Sequence, residues 1–213
     1  NRFLNIRLSG VFVADDYKSE LGFVRRTDIF KINPQIELKF WPKNSAIQRH
    51  SFTVIPISIW RPELEFENSD YTIISRWEAN FLNSSQLRVE MFNRYTKLYN
   101  EFDPTRTDNA IPLPADENYY YTSYNASFRS DRRKKISYRI NPSIGQFYNG
   151  KKYSLETSLS VRLQPYFSGS IQMNYDKIDL PDPYPDASIW LIGPKVDITF
   201  TKNMFWSTFF QYS

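Results

Sequence analysis

Hydrophobic and polar residues alternate along most of this chain with a period of two. In the segment 30–40, one parity carries Phe30, Ile32, Pro34, Ile36, Leu38 and Phe40, and the other carries Lys31, Asn33, Gln35, Glu37 and Lys39. Successive side chains of a β-strand point to opposite faces of its sheet. The pattern therefore predicts a sheet with one apolar and one polar face.

Eleven segments show this alternation, and most of them are 10 to 13 residues long. Strands of soluble sheets average about 5–6 residues, whereas a tilted strand that crosses a membrane needs about 9–11. The sequence thus predicts an all-β fold, an antiparallel transmembrane β-barrel. The predicted strands are 3–14, 29–40, 51–61, 70–81, 86–97, 119–130, 136–147, 152–163, 167–176, 188–200 and 204–212.

The connections between these segments alternate in length. Short ones span 82–85, 131–135, 164–166 and 201–203, and longer ones span 62–69, 98–118 and 177–187. Short periplasmic turns and long external loops are typical of outer-membrane barrels. Two connections depart from this pattern, because 41–50 is long for a turn and the Tyr-Asn-Gly-Lys hairpin at 148–151 is short for a loop.

Aromatic residues make up 17% of the chain and gather near the ends of the predicted strands. Amphipathic rings favour the lipid–water interface, so two aromatic girdles are expected of a membrane barrel. A polar interior also explains the mean hydropathy of -0.55. The alternative, a soluble β-sandwich with aromatic core ends, requires neither such long strands nor such unequal loops.

An odd number of strands does not fit a whole barrel, because single-chain bacterial barrels have even counts. At an unpaired strand edge in lipid, each backbone group without a hydrogen bond costs several kcal/mol. We therefore expect residues 1–213 to be an incomplete barrel domain. A membrane-targeting signal and the closing strand or strands are expected to lie outside this sequence.

Two motifs resemble those of a known family. Gly22-Phe23-Val24-Arg25-Arg26-Thr27-Asp28 precedes an alternating strand, and Lys202-Asn203-Met204-Phe205-Trp206 opens the last one. Both resemble the DUF5916 barrel proteins of Bacteroidota. The resemblance implies a signal peptide and an N-terminal β-sandwich similar to a family 9 carbohydrate-binding module, followed by an outer-membrane barrel. It implies no activity and no catalytic residue.

Charge and residue usage narrow the candidate chemistry. The 27 basic and 23 acidic residues give a net charge of +4, and cysteine is absent. The only tight basic run, Arg132 to Lys135, is interpreted as a solvated turn rather than a nucleic-acid patch. We expect no nucleic-acid partner, no thiolate metal site and no disulfide.

The single histidine, His50, is predicted in an exposed turn beside Arg49. Zinc or Ser-His-Asp chemistry would need partners that the sequence does not offer at a recognisable spacing. No Gly-rich phosphate loop or nucleophile elbow is present either. The sequence therefore predicts no enzyme activity, no bound cofactor and no metal.

Two connections offer weaker candidates for binding. Asp176, Asp179, Asp182 and Asp186 could hold Ca²⁺, or they could belong to a rigid, solvated, proline-rich loop. The acidic loop 98–118 could fold over the mouth of the barrel, contact a partner or glycan, or simply be mobile.

The residues predicted to face the lumen carry both signs of charge. They could line a water-filled pore or pair across strands in a narrow interior. The first hypothesis is a scaffold or subunit of an envelope assembly in the bacterial outer membrane, in glycan handling or protein export. The second is a pore or uptake channel for small solutes, and an enzyme ranks third. The expected partners are outer-membrane lipid, lipopolysaccharide and other outer-membrane proteins. The lumen-facing candidates are Lys31, Glu37, Lys39, Arg76, Glu78, Arg88, Glu90, Arg94, Arg139, Glu156, Arg162, Lys195 and Asp197.

Overall fold

The fold is a single antiparallel β-sheet. The computed structural model describes residues 2–18, 26–43 and 45–212, and these form 13 strands and one short 3-10 turn at Pro62–Leu64. No helix among the described residues has the length and apolar character that a membrane crossing requires. The strands are β1 (Leu4–Arg7), β2 (Gly10–Val13), β3 (Ile29–Ile32), β4 (Gln35–Phe40), β5 (Ile47–Arg61), β6 (Glu67–Phe81), β7 (Gln86–Lys97), β8 (Asn118–Arg129), β9 (Ile136–Phe147), β10 (Gly150–Leu163), β11 (Phe167–Asp179), β12 (Ala187–Thr201) and β13 (Met204–Phe209).

The strands follow one another across the sheet in chain order. β1 pairs with β4 and β2 with β3, β3 and β4 both pair with β5, and each strand from β5 onward pairs with the next one up to β13. The all-β, antiparallel part of the prediction is confirmed. Among the described residues the first and last strands do not pair with each other, so the sheet is not closed into a barrel.

The first two predicted strands are each divided. β1 and β2 are separated at Leu8-Ser9, and β3 and β4 at Asn33-Pro34. Proline lacks the N–H that a sheet ladder requires. The two breaks face each other, because the amide of Asn33 donates to the carbonyl of Ser9 at 2.9 Å. The prediction of continuous strands is therefore wrong at these two points.

The register places apolar residues on one side of the sheet and polar residues on the other. Leu38 lies opposite Phe52, Phe52 opposite Trp77, and Trp77 opposite Val89. We call this side the apolar face and the other side the polar face. Leu38 is 44% exposed and Phe52 is 50% exposed. No element among the described residues covers the apolar face.

Aromatic contacts on the apolar face lie near both ends of the strands. The sheet end with the longer connections 62–66, 98–117 and 180–186 is called the loop end, and the opposite one the turn end. Tyr95 at the loop end lies 5.4 Å from Tyr71 and 4.9 Å from Tyr120 between ring centroids. Phe128 and Tyr138 are 5.8 Å apart at the turn end.

Candidate functional site

All thirteen residues that the sequence places in a lumen lie on the polar face. The register shows this strand by strand, since Arg76 is opposite Glu90, Arg139 opposite Ser158, and Lys195 opposite Ser170. The alternation that predicted this set is preserved by the sheet, and in the described part of the chain the register shifts lie near the ends of the β5–β6 and β12–β13 pairings.

Several charges on β4 to β7 are paired with one another, in what we call the paired-charge region; Arg94 of β7 instead donates to the Ser123 hydroxyl at 2.6 Å. Arg76 Nε donates to Glu90 Oε1 at 2.6 Å. Arg88 donates to Glu78 Oε2 from Nε at 3.1 Å and from Nη2 at 2.9 Å. Arg49, which the sequence-based set omits, approaches the same carboxylate at 3.5 Å. Cross-strand pairs of opposite charge neutralise this part of the polar face.

Charges on β8 to β10 are arranged differently. Arg129, Arg132, Arg139 and Arg162 line a groove of about 400 Å³ at the turn end, which we call the serine–arginine groove. Among the described residues, no ion pair or side-chain hydrogen bond joins these four guanidinium groups to another residue. The serines that line the groove are Ser137, Ser158, Ser160, Ser168 and Ser170.

Two of these four arginines were predicted from the sequence. Arg139 and Arg162 belong to the predicted set, whereas Arg129 and Arg132 do not. Arg129 has the same parity as Ser127 and Asn125 in β8, so the alternation contained the signal. Arg132 lies exposed in the turn after β8, as predicted for the basic run, and it also reaches the groove.

A second polar groove of about 450 Å³ adjoins the first, and Arg129 and Arg139 line both. A chain of hydrogen bonds crosses it, from Asn125 to Asn141 at 3.0 Å and from Asn141 to Glu156 at 3.1 Å. The small side chains and amides on this part of the polar face leave the groove above the sheet open.

The loop 98–117 is folded and lies over the polar face at the loop end. Phe102 and Leu113 exchange backbone hydrogen bonds of 3.1 and 2.8 Å, and Leu113 is fully buried. The ring of Phe102 lies 5.5 Å from that of Tyr148, which stacks on Tyr121 of the polar face at 5.4 Å. Burial at this contact raises the pKa of the Tyr148 phenol to about 12.

Asp103 organises the start of this loop. Its carboxylate accepts hydrogen bonds from the Thr105 hydroxyl at 2.6 Å, the Thr105 amide at 2.8 Å and the Thr107 amide at 2.9 Å. Burial raises the pKa of Asp103, but these hydrogen bonds outweigh it and the pKa is lowered. Of the three sequence alternatives for this loop, the described geometry matches folding over one end of the sheet.

The prediction that His50 lies in an exposed turn is wrong. His50 belongs to β5 and lies opposite Phe40 on the apolar face, with its ring 5.3 Å from that of Phe40. The pairing of β5 with β6 extends back to Ile47, which draws this residue into the sheet. The histidine is therefore part of an aromatic cluster.

The acidic loop shows no arrangement for calcium. Asp176 pairs with Lys152 at 3.1 Å, and Asp186 accepts a hydrogen bond from the Leu180 amide at 3.0 Å. Within the part of the chain that the structure describes, no group of three or more acidic, histidine or cysteine side chains is placed to hold a metal ion.

Comparison of the chain with family models, curated proteins and solved structures found no match. The first motif of the resemblance lies partly outside the described residues, because it includes 22–25.

Proposed function

We propose that this sheet is part of the wall of an outer-membrane β-barrel, with its apolar face in lipid and its polar face toward a water-filled interior. The strands support this, since β5, β6 and β12 each have 15 residues, enough to cross a membrane at a tilt. The aromatic contacts near both strand ends match the girdles of such barrels.

The exposure of the apolar face favours lipid over water. Ile36, Val54, Val89, Ile140 and Leu159 lie in its middle band, and each is more than 40% exposed. Monomeric soluble proteins rarely expose contiguous apolar patches larger than a few hundred Å². A soluble sandwich would need a second layer on this face.

The function that the geometry favours is passage of small polar solutes through the barrel. The observation that carries it is the pair of open grooves on the polar face, of about 400 and 450 Å³. An interior filled by side chains would occupy this space with interlocking residues. Serine, asparagine and arginine instead leave a hydrated path along β8 to β12.

The scaffold or assembly role is the second candidate. The paired-charge region favours it, because ion pairs such as Arg76 with Glu90 stabilise a wall without offering a free binding group. The family resemblance, the absence of enzyme activity and the lipopolysaccharide and protein partners stay predictions from the sequence.

Single-channel conductance of the full-length protein in planar bilayers tests the pore. We expect discrete, open conductance steps from the purified protein. A sealed bilayer at protein densities where a control porin conducts would contradict the pore and favour the scaffold. Co-purification of stoichiometric outer-membrane proteins would support the scaffold further.

A further inference from the structure

We propose that the serine–arginine groove binds multivalent oxyanions, namely phosphate or sulfate groups, and that it selects solutes bearing them. The selectivity rests on the proposed pore. The binding itself does not, because the groove is formed by described strands of one sheet.

Two arginines face each other across the groove in an unusual cross-strand pair. Arg129 of β8 lies directly opposite Arg139 of β9. Directly opposed residues have Cβ atoms about 5 Å apart, and like charges in this position are destabilising. In the paired-charge region, by contrast, Arg76 opposes Glu90 and Glu78 opposes Arg88. The arginine pair therefore lacks the compensation that the same face provides elsewhere, and a bound anion would supply it.

The carboxylates near the groove have other partners. Glu78 is held by Arg88 and Arg49. Asp197, the only acidic residue among the described ones that line the groove, accepts hydrogen bonds from Ser207 at 2.6 Å and Ser168 at 3.3 Å and pairs with Lys195 at 3.3 Å.

The carboxylates on either side of the groove are also engaged. Asp131 forms an ion pair with Arg133 at 3.0 Å, and Glu156 accepts a hydrogen bond from Asn141. The four groove arginines thus concentrate positive charge, and no described carboxylate forms an ion pair with any of them.

The hydrogen-bond donors that line the groove match the geometry of an oxyanion. A guanidinium group presents a planar fork of N–H donors that binds phosphate, sulfate or carboxylate in a bidentate manner. Serine hydroxyls can donate to the remaining oxygens. Because these serines are short, the groove keeps a volume within the usual range of small-ligand sites. Several arginines around one space favour a dianion over a monoanion.

Binding is tested by isothermal titration calorimetry of the full-length protein in neutral detergent. The ligands are inorganic phosphate, inorganic sulfate and glucose 6-phosphate, each in a chloride background. We expect saturable binding to the wild-type protein. Tighter binding of glucose 6-phosphate would identify sugar esters as the ligand source, and equal binding would identify the free ions.

The test variant is Arg129→Gln with Arg139→Gln, and we expect it to bind each ligand at least about tenfold more weakly, because charged hydrogen bonds are lost. It is expected to fold, since the substitution removes a repulsive pair. The matched control, Lys43→Gln with Lys202→Gln, removes the same charge from exposed turns and should bind like wild type. Equal weakening in both variants, or no saturable binding to the wild type, would overturn the proposed site.

A second measurement separates this inference from the pore. In bilayers with a phosphate gradient, the wild-type reversal potential should indicate anion preference, and the groove variant should lose that preference while the control keeps it. Conductance with unchanged selectivity in the groove variant would overturn the inference and leave the pore intact. Binding without conductance would overturn the pore and leave the site intact.

Discussion

At the scale of single residues, parity determines the environment of each side chain. Leu155 lies opposite Pro142 on the apolar face, while its neighbour Ser154 lies opposite Ser143 on the polar face. Alternation was enough to predict the polar set from the sequence, because the pairings from β3 to β12 keep their register away from the strand ends. It failed at His50, where the extent of pairing with β6 decided whether the residue belonged to a strand.

Leu155→Arg should destabilise the protein by about 2–4 kcal/mol, the cost of a lipid-facing cation near the bilayer midplane. Leu155 lies near the middle of β10. Ser154→Arg is the matched control, and it should cost far less because the side chain can reach water. Urea unfolding in lipid vesicles measures both, and equal costs would show that the two faces do not differ in environment.

Asp131 should titrate well below other aspartates. Hydrogen bonds from the Arg133 side chain and amide hold its pKa at about 2, against an ordinary value of 3.8. Because the folded-state pKa is lowered, the stabilisation is present above about pH 4 and is lost as the pH falls through 2. NMR titration of the carboxyl carbon should show this, and Arg133→Gln should return the pKa toward 3.8. A midpoint near 3.8 in the wild type would refute the contact.

At the scale of elements, the strands were predictable and the loops were not. Strand length and alternation are local properties, so all eleven predicted segments start and end within about four residues of strand bounds in the sheet. The fold of loop 98–117 depends on a ring contact between Phe102 and Tyr148, which belongs to a hairpin distant in the sequence. No local pattern in a proline-rich acidic segment encodes such a contact. The strand breaks at Ser9 and Asn33 likewise depend on a contact between two segments, because the Asn33 amide donates to the Ser9 carbonyl.

Leu113→Ala should release the loop from the polar face. Leu113 is fully buried, so the substitution removes apolar contacts and leaves a cavity. We expect amide hydrogen exchange at Phe102 and Leu113 to accelerate at least about tenfold, the factor for a loss of about 1.4 kcal/mol. Ile111→Ala is the control, because Ile111 is 52% exposed in the same loop. Similar protection in all three proteins would mean that the loop is not held by this contact.

At the scale of the whole molecule, two opposite surfaces on one sheet require two environments. The apolar face fits lipid and the polar face fits water, whereas a sandwich would require a partner sheet. The sequence pattern predicts the two faces, because a period of two is a property of every strand. Barrel closure depends on which edges meet, which is non-local, and the alternation does not encode it. The separation of paired charges from unpaired arginines on the polar face was not predicted from the sequence either. It depends on which residues lie opposite each other on neighbouring strands.

The most direct test measures the environment of alternate residues along β10 in lipid vesicles. The chain has no cysteine, so single cysteines at 154–161 can each be spin-labelled in an otherwise natural sequence. We predict a period of two, with the labels at 155, 157, 159 and 161 accessible to oxygen in the bilayer and those at 154, 156, 158 and 160 accessible to a water-soluble nickel complex. Uniform accessibility to the nickel complex, or the opposite phase, would contradict the account.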